Sequence, residues 1–167
     1  MDIFIIRTSE VGNFSEEFLK KFQKKEISNK QTLKTHCLTY AMLDSILREI
    51  YKLENREIIY EGKKPVLRSR SKYFSLSHSS ELIAIAVSNY NCGIDIEQRK
   101  ERNYEAISKR MGFESSTQEE FYHNWTFFEA KYKLAETEAS SFIFPMEDYY
   151  LTAVSSNANE KFELFIS

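Results

Sequence analysis

The sequence predicts an α+β fold, and three observations carry that reading. Leu33–Leu53 places Leu38, Met42, Ile46, Ile50 and Leu53 at three- and four-residue steps, one apolar stripe along a helix. Lys72–Asn89 reads as a hairpin in which Phe74 and Leu76 alternate with polar residues and "LIAIAVS" follows as a near-continuous buried strand. Helices and hairpins are grouped rather than strictly alternating, which favours antiparallel sheets with segregated helices.

Each element can be read in order. "MDIFIIRT" opens as a short strand, and "SEEFLKKFQKKEI" puts Phe18, Leu19 and Phe22 at helical spacing, with Ser15 as a cap. After the long helix, "REIIYEGKKPVL" reads as a short strand, a turn at Gly62 and a break at Pro65. "SHSSE" turns the hairpin, and "CGIDIEQ" is the next strand. "NYEAISKRMGF" is a helix ending near Gly112. "QEEFYHNWTFFEAKYKLAE" is a second helix, with Phe121, Trp125, Phe128 and Tyr132 on its core side. "DYYLTAVSS" and "KFELFIS" are expected to pair antiparallel around "NANE". A loose twofold rhythm runs through the order: a helix and then "LIAIAVS", a helix and then "YYLTAVS".

Composition narrows the function classes. The chain of 167 residues, with four glycines and two prolines, is long enough for one compact domain or two small fused halves. Cys37 and Cys92 form no CxxC pair, and the N-terminus shows no signal peptide, so reduced thiols and a cytoplasmic location are expected. The apolar runs are far too short for a membrane span; neither membrane nor nucleic acid is expected as a partner. Residues 1–90 hold 15 Lys/Arg against 11 Asp/Glu, while residues 91–167 hold 8 against 14. That asymmetry suits a phosphate-bearing ligand that also needs a divalent cation, although two differently solvated surfaces are the plainer reading.

Chemistry concentrates in three stretches. In "GIDIE", Asp95 and Glu97 share one face of a strand while Ile94 and Ile96 enter the core. Two adjacent like charges need a cation, a shared proton or open solvent. In "WTFFEAKYK", Glu129 and Lys133 emerge from one helix face. If that face meets "GIDIE", the three carboxylates suit a hard cation such as Mg²⁺, with Lys133 one turn away where a phosphate oxygen could lie. The third stretch is "FSLSHS", Phe74–Ser79.

Taken together and in this order, "GKKP", "FSLSHS", "GIDIE" and "WTFFEAKYK" resemble the 4′-phosphopantetheinyl transferases. The likeness is to the longer type, built of two similar halves, that activates peptide and polyketide synthetases through a GKP-like turn, FNLSHS, GIDIE and WTxKEAxxK. It is good from about Leu33 to Lys133 and thin at both ends. The resemblance implies a fold of two pseudo-symmetric halves. Residues 1–90 would form a half on the coenzyme A phosphate side and 91–167 a shortened half on the metal side, together one compact domain. It implies Asp95, Glu97 and Glu129 as Mg²⁺ ligands, and Glu129 and Lys133 as the catalytic pair. Lys64, Ser77 and His78 fall on the coenzyme A side; Lys30 and Lys34 are assigned there without a secure alignment. The implied reaction moves phosphopantetheine from coenzyme A to a serine of an apo acyl or peptidyl carrier protein, in fatty-acid, polyketide or nonribosomal-peptide synthesis, and releases 3′,5′-ADP. With the site between the halves, a monomer is expected in preference to a dimer. Two departures stand out: Phe128 replaces the lysine before the helix glutamate, and only "LAETEASSFIFPME", without glycine, links the helix to the closing strand. They leave open a chain that binds coenzyme A or a carrier protein without turnover.

Overall fold

The computed structural model describes residues 1–12, 14–23 and 27–167 of a mixed α+β chain with antiparallel sheets. In order, the elements are β1 (Asp2–Arg7), α1 (Glu16–Lys20), α2 (Lys30–Glu49), β2 (Ile58–Glu61), β3 (Lys64–Leu67), β4 (Tyr73–Ser79) and β5 (Leu82–Ser88). Then follow β6 (Cys92–Gln98), α3 (Tyr104–Met111), α4 (Gln118–Leu134), β7 (Ser140–Pro145), β8 (Tyr149–Ser155) and β9 (Glu163–Ile166). One sheet runs β4-β5-β1-β9, another β6-β8-β7, and β2 and β3 form a separate ribbon.

The apolar pattern explains the layering. In β5 every residue is buried because both faces are covered. Ile83, Ile85 and Val87 meet Leu38, Leu43 and Leu47 of α2, whereas Leu82, Ala84 and Ala86 meet Ile94, Ile96, Leu151 and Ala153 of the other sheet. Strand β8 is covered in the same way, with Tyr149, Leu151 and Ala153 toward the inter-sheet core. Its Tyr150 packs with Phe121 and Tyr122, and its Val154 with Ala130 and Leu134 of α4. The order of layers is helix, sheet, sheet, helix.

Helix ends follow local chemistry. Asn29 caps α2, accepting from the Thr32 amide. Asn103 caps α3, which stops where Gly112 takes a left-handed turn at φ 83°. Thr117 and Glu120 form a reciprocal capping box at the start of α4.

Several expectations are corrected. The first helix is shorter than Ser15–Ile27; residues 24–26 and the Leu19 side chain lie outside the described residues. On α2 the fully buried residues include Leu43 and Leu47, while Ile50 is 56% exposed just past the helix end. Pro65 does not break structure but sits in β3 opposite Tyr60. A two-stranded ribbon has open edges, and a missing amide there costs little. "SSFIFP", read as a connector, is strand β7, paired with β8. The expected pairing of "DYYLTAVSS" with "KFELFIS" does not form: β8 lies between β6 and β7, and β9 runs parallel to β1. Phe165 stacks on Phe4 with ring centroids 5.1 Å apart, so β9 finds its apolar partner on the first strand.

The crossing from β8 to β9 is fixed by Glu160. Its side chain, 6% exposed, accepts from Ser88 (3.1 Å) on β5, Ser155 (2.8 Å) on β8 and the Met1 amine (2.5 Å). Burial pushes this carboxyl up, but the bonds from the Met1 amine, Ser155 and Ser88 outweigh it and hold it below the ordinary glutamate range. A depressed carboxylate stabilises the fold above its unfolded value of 4.5, and that contribution is lost as pH falls through the folded value. Glu160→Gln should therefore cost about 1–3 kcal/mol near neutral pH, read as a lower Tm. The gap to the parent should narrow in melts run below the ordinary glutamate value.

Candidate active site

Strand β6 divides its side chains between two environments. Ile94 and Ile96 are fully buried in the inter-sheet core, which by alternation turns Gly93, Asp95 and Glu97 toward α4. The helix comes so close that a Cβ on Gly93 would lie 1.9 Å from the Ala130 carbonyl oxygen. Hence the glycine: only a residue without a side chain admits the helix backbone here. The buried residues of α4 are Phe121, Tyr122, Thr126, Ala130 and Leu134, so the expected core position of Phe121 is met. Thr126 shares a 2.7 Å hydrogen bond with Thr152 of β8, a second tie at close range. Phe128 and Tyr132, expected in the core, are 45% and 64% exposed; at the level of Gly93 it is the small Ala130 that turns inward.

At the far end of α4, Lys133 reaches β6. Its Nζ donates to the Ile94 carbonyl (3.0 Å) and to Asp95 Oδ1 (2.7 Å), the latter also accepting from Ser77 Oγ (2.8 Å). Asp95 is 5% exposed, and its Oδ2 is buried without a hydrogen-bond partner. Such an orphaned oxygen costs about 1–3 kcal/mol. Burial pushes the Asp95 carboxyl up, against the pull of Lys133, Ser77 and His78. Glu97 is raised by burial and by Asp95, with Ser79, Arg102 and Lys133 opposing. Glu129 is likewise raised by burial and by Asp95, with Lys133 opposing. All three carboxylates therefore belong to one electrostatic unit centred on Asp95. Its repulsion is relieved in part by the ammonium of Lys133.

Lys133 also lines a cleft of about 700 Å³, with Tyr40, Tyr60, Lys63, His78 and Tyr132; Asp95, Glu97 and Glu129 are not among its lining residues. Lys64 also borders it, but its Nζ donates to the Asn91 side chain and to the Leu134 carbonyl (3.0 Å), capping the C-terminus of α4. Burial holds the Lys64 ammonium below its ordinary range. Lys30 and Lys34 are exposed on the first turns of α2, outside the cleft lining. Ser77, assigned to the phosphate side, is buried on β4 with its hydroxyl on Asp95.

The three acids bear on a metal site in two ways. Their oxygen-only donors suit a hard divalent cation, and the unpartnered Asp95 Oδ2 fits one. With side chains as placed, however, no group of three His, Cys, Asp or Glu among the described residues is gathered closely enough to hold a metal. Sequence reasoning missed Gly93, Ser75 and Ser79 as builders of the site. Its available signal was the period-two run of serines in "FSLSHS".

No family model matches the chain. The 4′-phosphopantetheinyl transferase psf-1 of Bacillus pumilus is 35% identical over 108 residues, which cover 56% of this chain and 46% of that protein. Over that part, this chain is similar to a phosphopantetheinyl transferase. The chain spans about half the length of that curated relative. Among the described residues, no helix is long and apolar enough to cross a membrane.

Gly93→Ala should force α4 away from β6. The expected cost is about 1–3 kcal/mol or more, as for overpacked cores, seen as a lower Tm and faster amide exchange along β6. Asp95→Asn removes a desolvated charge and should leave Tm near neutral pH unchanged or raised by roughly 2–4 °C, the equivalent of about 1 kcal/mol. A marked loss of stability in that variant would show that the ion pair outweighs the desolvation of Asp95.

Proposed function

We propose that the chain is a 4′-phosphopantetheinyl transferase of the holo-acyl-carrier-protein synthase type, acting on coenzyme A and a serine of an apo acyl or peptidyl carrier protein. The observation that carries this reading is the placement of Lys133, which lines the cleft and also holds Asp95 within a unit of three carboxylates. The similarity to a protein of that name supports it. The two-half organisation belongs to the same proposal and is supported by β5 and β8, each covered on its outer face by a helix.

In this reading the cleft takes coenzyme A, with His78 and Lys64 on the phosphate side. The carrier serine oxygen forms a bond to the β-phosphorus. The bond from that phosphorus to the bridging oxygen breaks, its electron pair leaves on 3′,5′-ADP, and phosphopantetheine stays on the serine. The serine proton passes to Glu129 or to a water that it holds; burial and Asp95 raise this carboxyl above its ordinary value, the direction that favours a proton acceptor. Lys133 stabilises charge on the departing phosphate, a contribution of roughly 10²–10³ in rate. Asp95, Glu97 and Glu129 would hold Mg²⁺, which when bound neutralises the pyrophosphate. In phosphoryl transfer of this kind, positioning and charge do most of the work.

A second reading, binding of coenzyme A or a carrier protein without turnover, is favoured by one observation. The carboxylates are not gathered as a metal cluster among the described residues. The two readings separate when the protein is incubated with coenzyme A, Mg²⁺ and an apo carrier protein, and the carrier is weighed by mass spectrometry. Transfer predicts a phosphopantetheine mass gain that disappears in Asp95→Ala and slows about 10²–10³-fold in Lys133→Ala. No gain, with coenzyme A still raising Tm, supports the binding protein. Because Phe128 is exposed next to Glu129, Phe128→Lys should tighten coenzyme A binding a few-fold by calorimetry.

A further inference from the structure

Strands β4 and β6 belong to different sheets, yet they run side by side in the same direction. The amides of β6 on that edge need acceptors, and hydroxyls supply them. Ile94 N–H donates to Ser75 Oγ (3.0 Å), Ile96 N–H to Ser77 Oγ (3.3 Å) and Gln98 N–H to Ser79 Oγ (2.9 Å). The three serines lie two apart on β4 and so share one face, as the three amides share one edge of β6. A hydroxyl that accepts from an amide still has its own proton to place. Ser77 gives its proton to Asp95 Oδ1 (2.8 Å) and Ser79 to Glu97 Oε2 (3.1 Å), each the residue before the amide it accepts from. For Ser75 the corresponding residue is Gly93, which has no side chain to receive one.

We propose that the β4 serines form a positioning ladder, in which Ser77 and Ser79 both fasten β6 and aim the carboxylates of Asp95 and Glu97, while Ser75 only fastens. Backbone and carboxylate are thereby set by the same oxygen atom, so the orientation of each acid is coupled to the seam between the sheets. Ser77 and Ser79 are positioning residues, acting through Asp95 and Glu97. The consequence for catalysis rests on the function proposed above; the ladder itself does not.

The test compares Ser75→Ala, Ser77→Ala and Ser79→Ala at one fixed pH without metal, by ¹³C and ¹⁵N NMR. Each variant should speed amide exchange at its own partner, Ile94, Ile96 or Gln98. Ser77→Ala should move the Asp95 carboxyl signal and Ser79→Ala that of Glu97, whereas Ser75→Ala should move neither. Ser77→Thr and Ser79→Thr, which keep the hydroxyl, should restore the parent signals. Unmoved carboxyl signals in Ser77→Ala and Ser79→Ala, or equal shifts in all three alanine variants, would overturn the ladder. Ser79 is only half-buried, so its variant decides the matter even if Ser77→Ala does not fold. Where the parent transfers phosphopantetheine, Ser77→Ala and Ser79→Ala should also raise the Mg²⁺ needed for half-maximal rate by about tenfold, the usual scale for loss of a partner behind a metal ligand. A parent without transfer would remove the proposed function and leave the NMR result to decide the ladder.

Discussion

The rest of the molecule depends on how closely α4 lies against β6 at Gly93. The missing side chain lets the Ala130 carbonyl occupy the space where a Cβ would stand. From that single approach follow the reach of Lys133 to Asp95, the bond between Thr126 and Thr152, and the capture of the Leu134 carbonyl by Lys64. A helix one side-chain layer further out would make none of these contacts. The electrostatic unit is thus a product of packing, and a buried carboxylate is tolerated because the backbone carries its counter-charge to it.

Much of the fold could be read from local chemistry. The stop of α3 was visible in Gly112, and the hairpin of β4 and β5 in alternation followed by an apolar run. That Asp95 and Glu97 share a strand face was legible from alternation, but Lys133, expected one turn away toward a phosphate, is instead bonded to Asp95. What could not be read was where along α4 the inward side changes from aromatic to small residues. Of the aromatic run Phe121, Trp125, Phe128 and Tyr132, the first two do pack inward beside Tyr150, but toward the end of the helix the contact with β6 selects Thr126 and Ala130 and leaves Phe128 and Tyr132 outside. Sequence periodicity measures apolar content, and close approach demands small volume.

Long-range pairing was hidden for a different reason. Strand β7 carries Pro145 and exposes Ser141, so it lacks the composition of a buried strand. Strand β9 has a nearer neighbour along the chain in β8, but the hold of Ser88, Ser155 and the Met1 amine on Glu160 and the stacking of Phe165 on Phe4 turn the chain toward β1. The serines of "FSLSHS" were legible as a motif but not as a seam, since nothing local tells that their acceptor lone pairs face another sheet.

The parallel union of β9 with β1 has a kinetic meaning. The sheet begun by residues 2–7 stays open along one edge until residues 163–166 are in place, the widest separation along the sequence of any strand pair in the protein. Contacts so distant along a chain close late and slowly. Until then Ile3 and Ile5 sit on an unfinished template, and a nascent or refolding chain is at greatest risk of joining a neighbour's strand instead of its own.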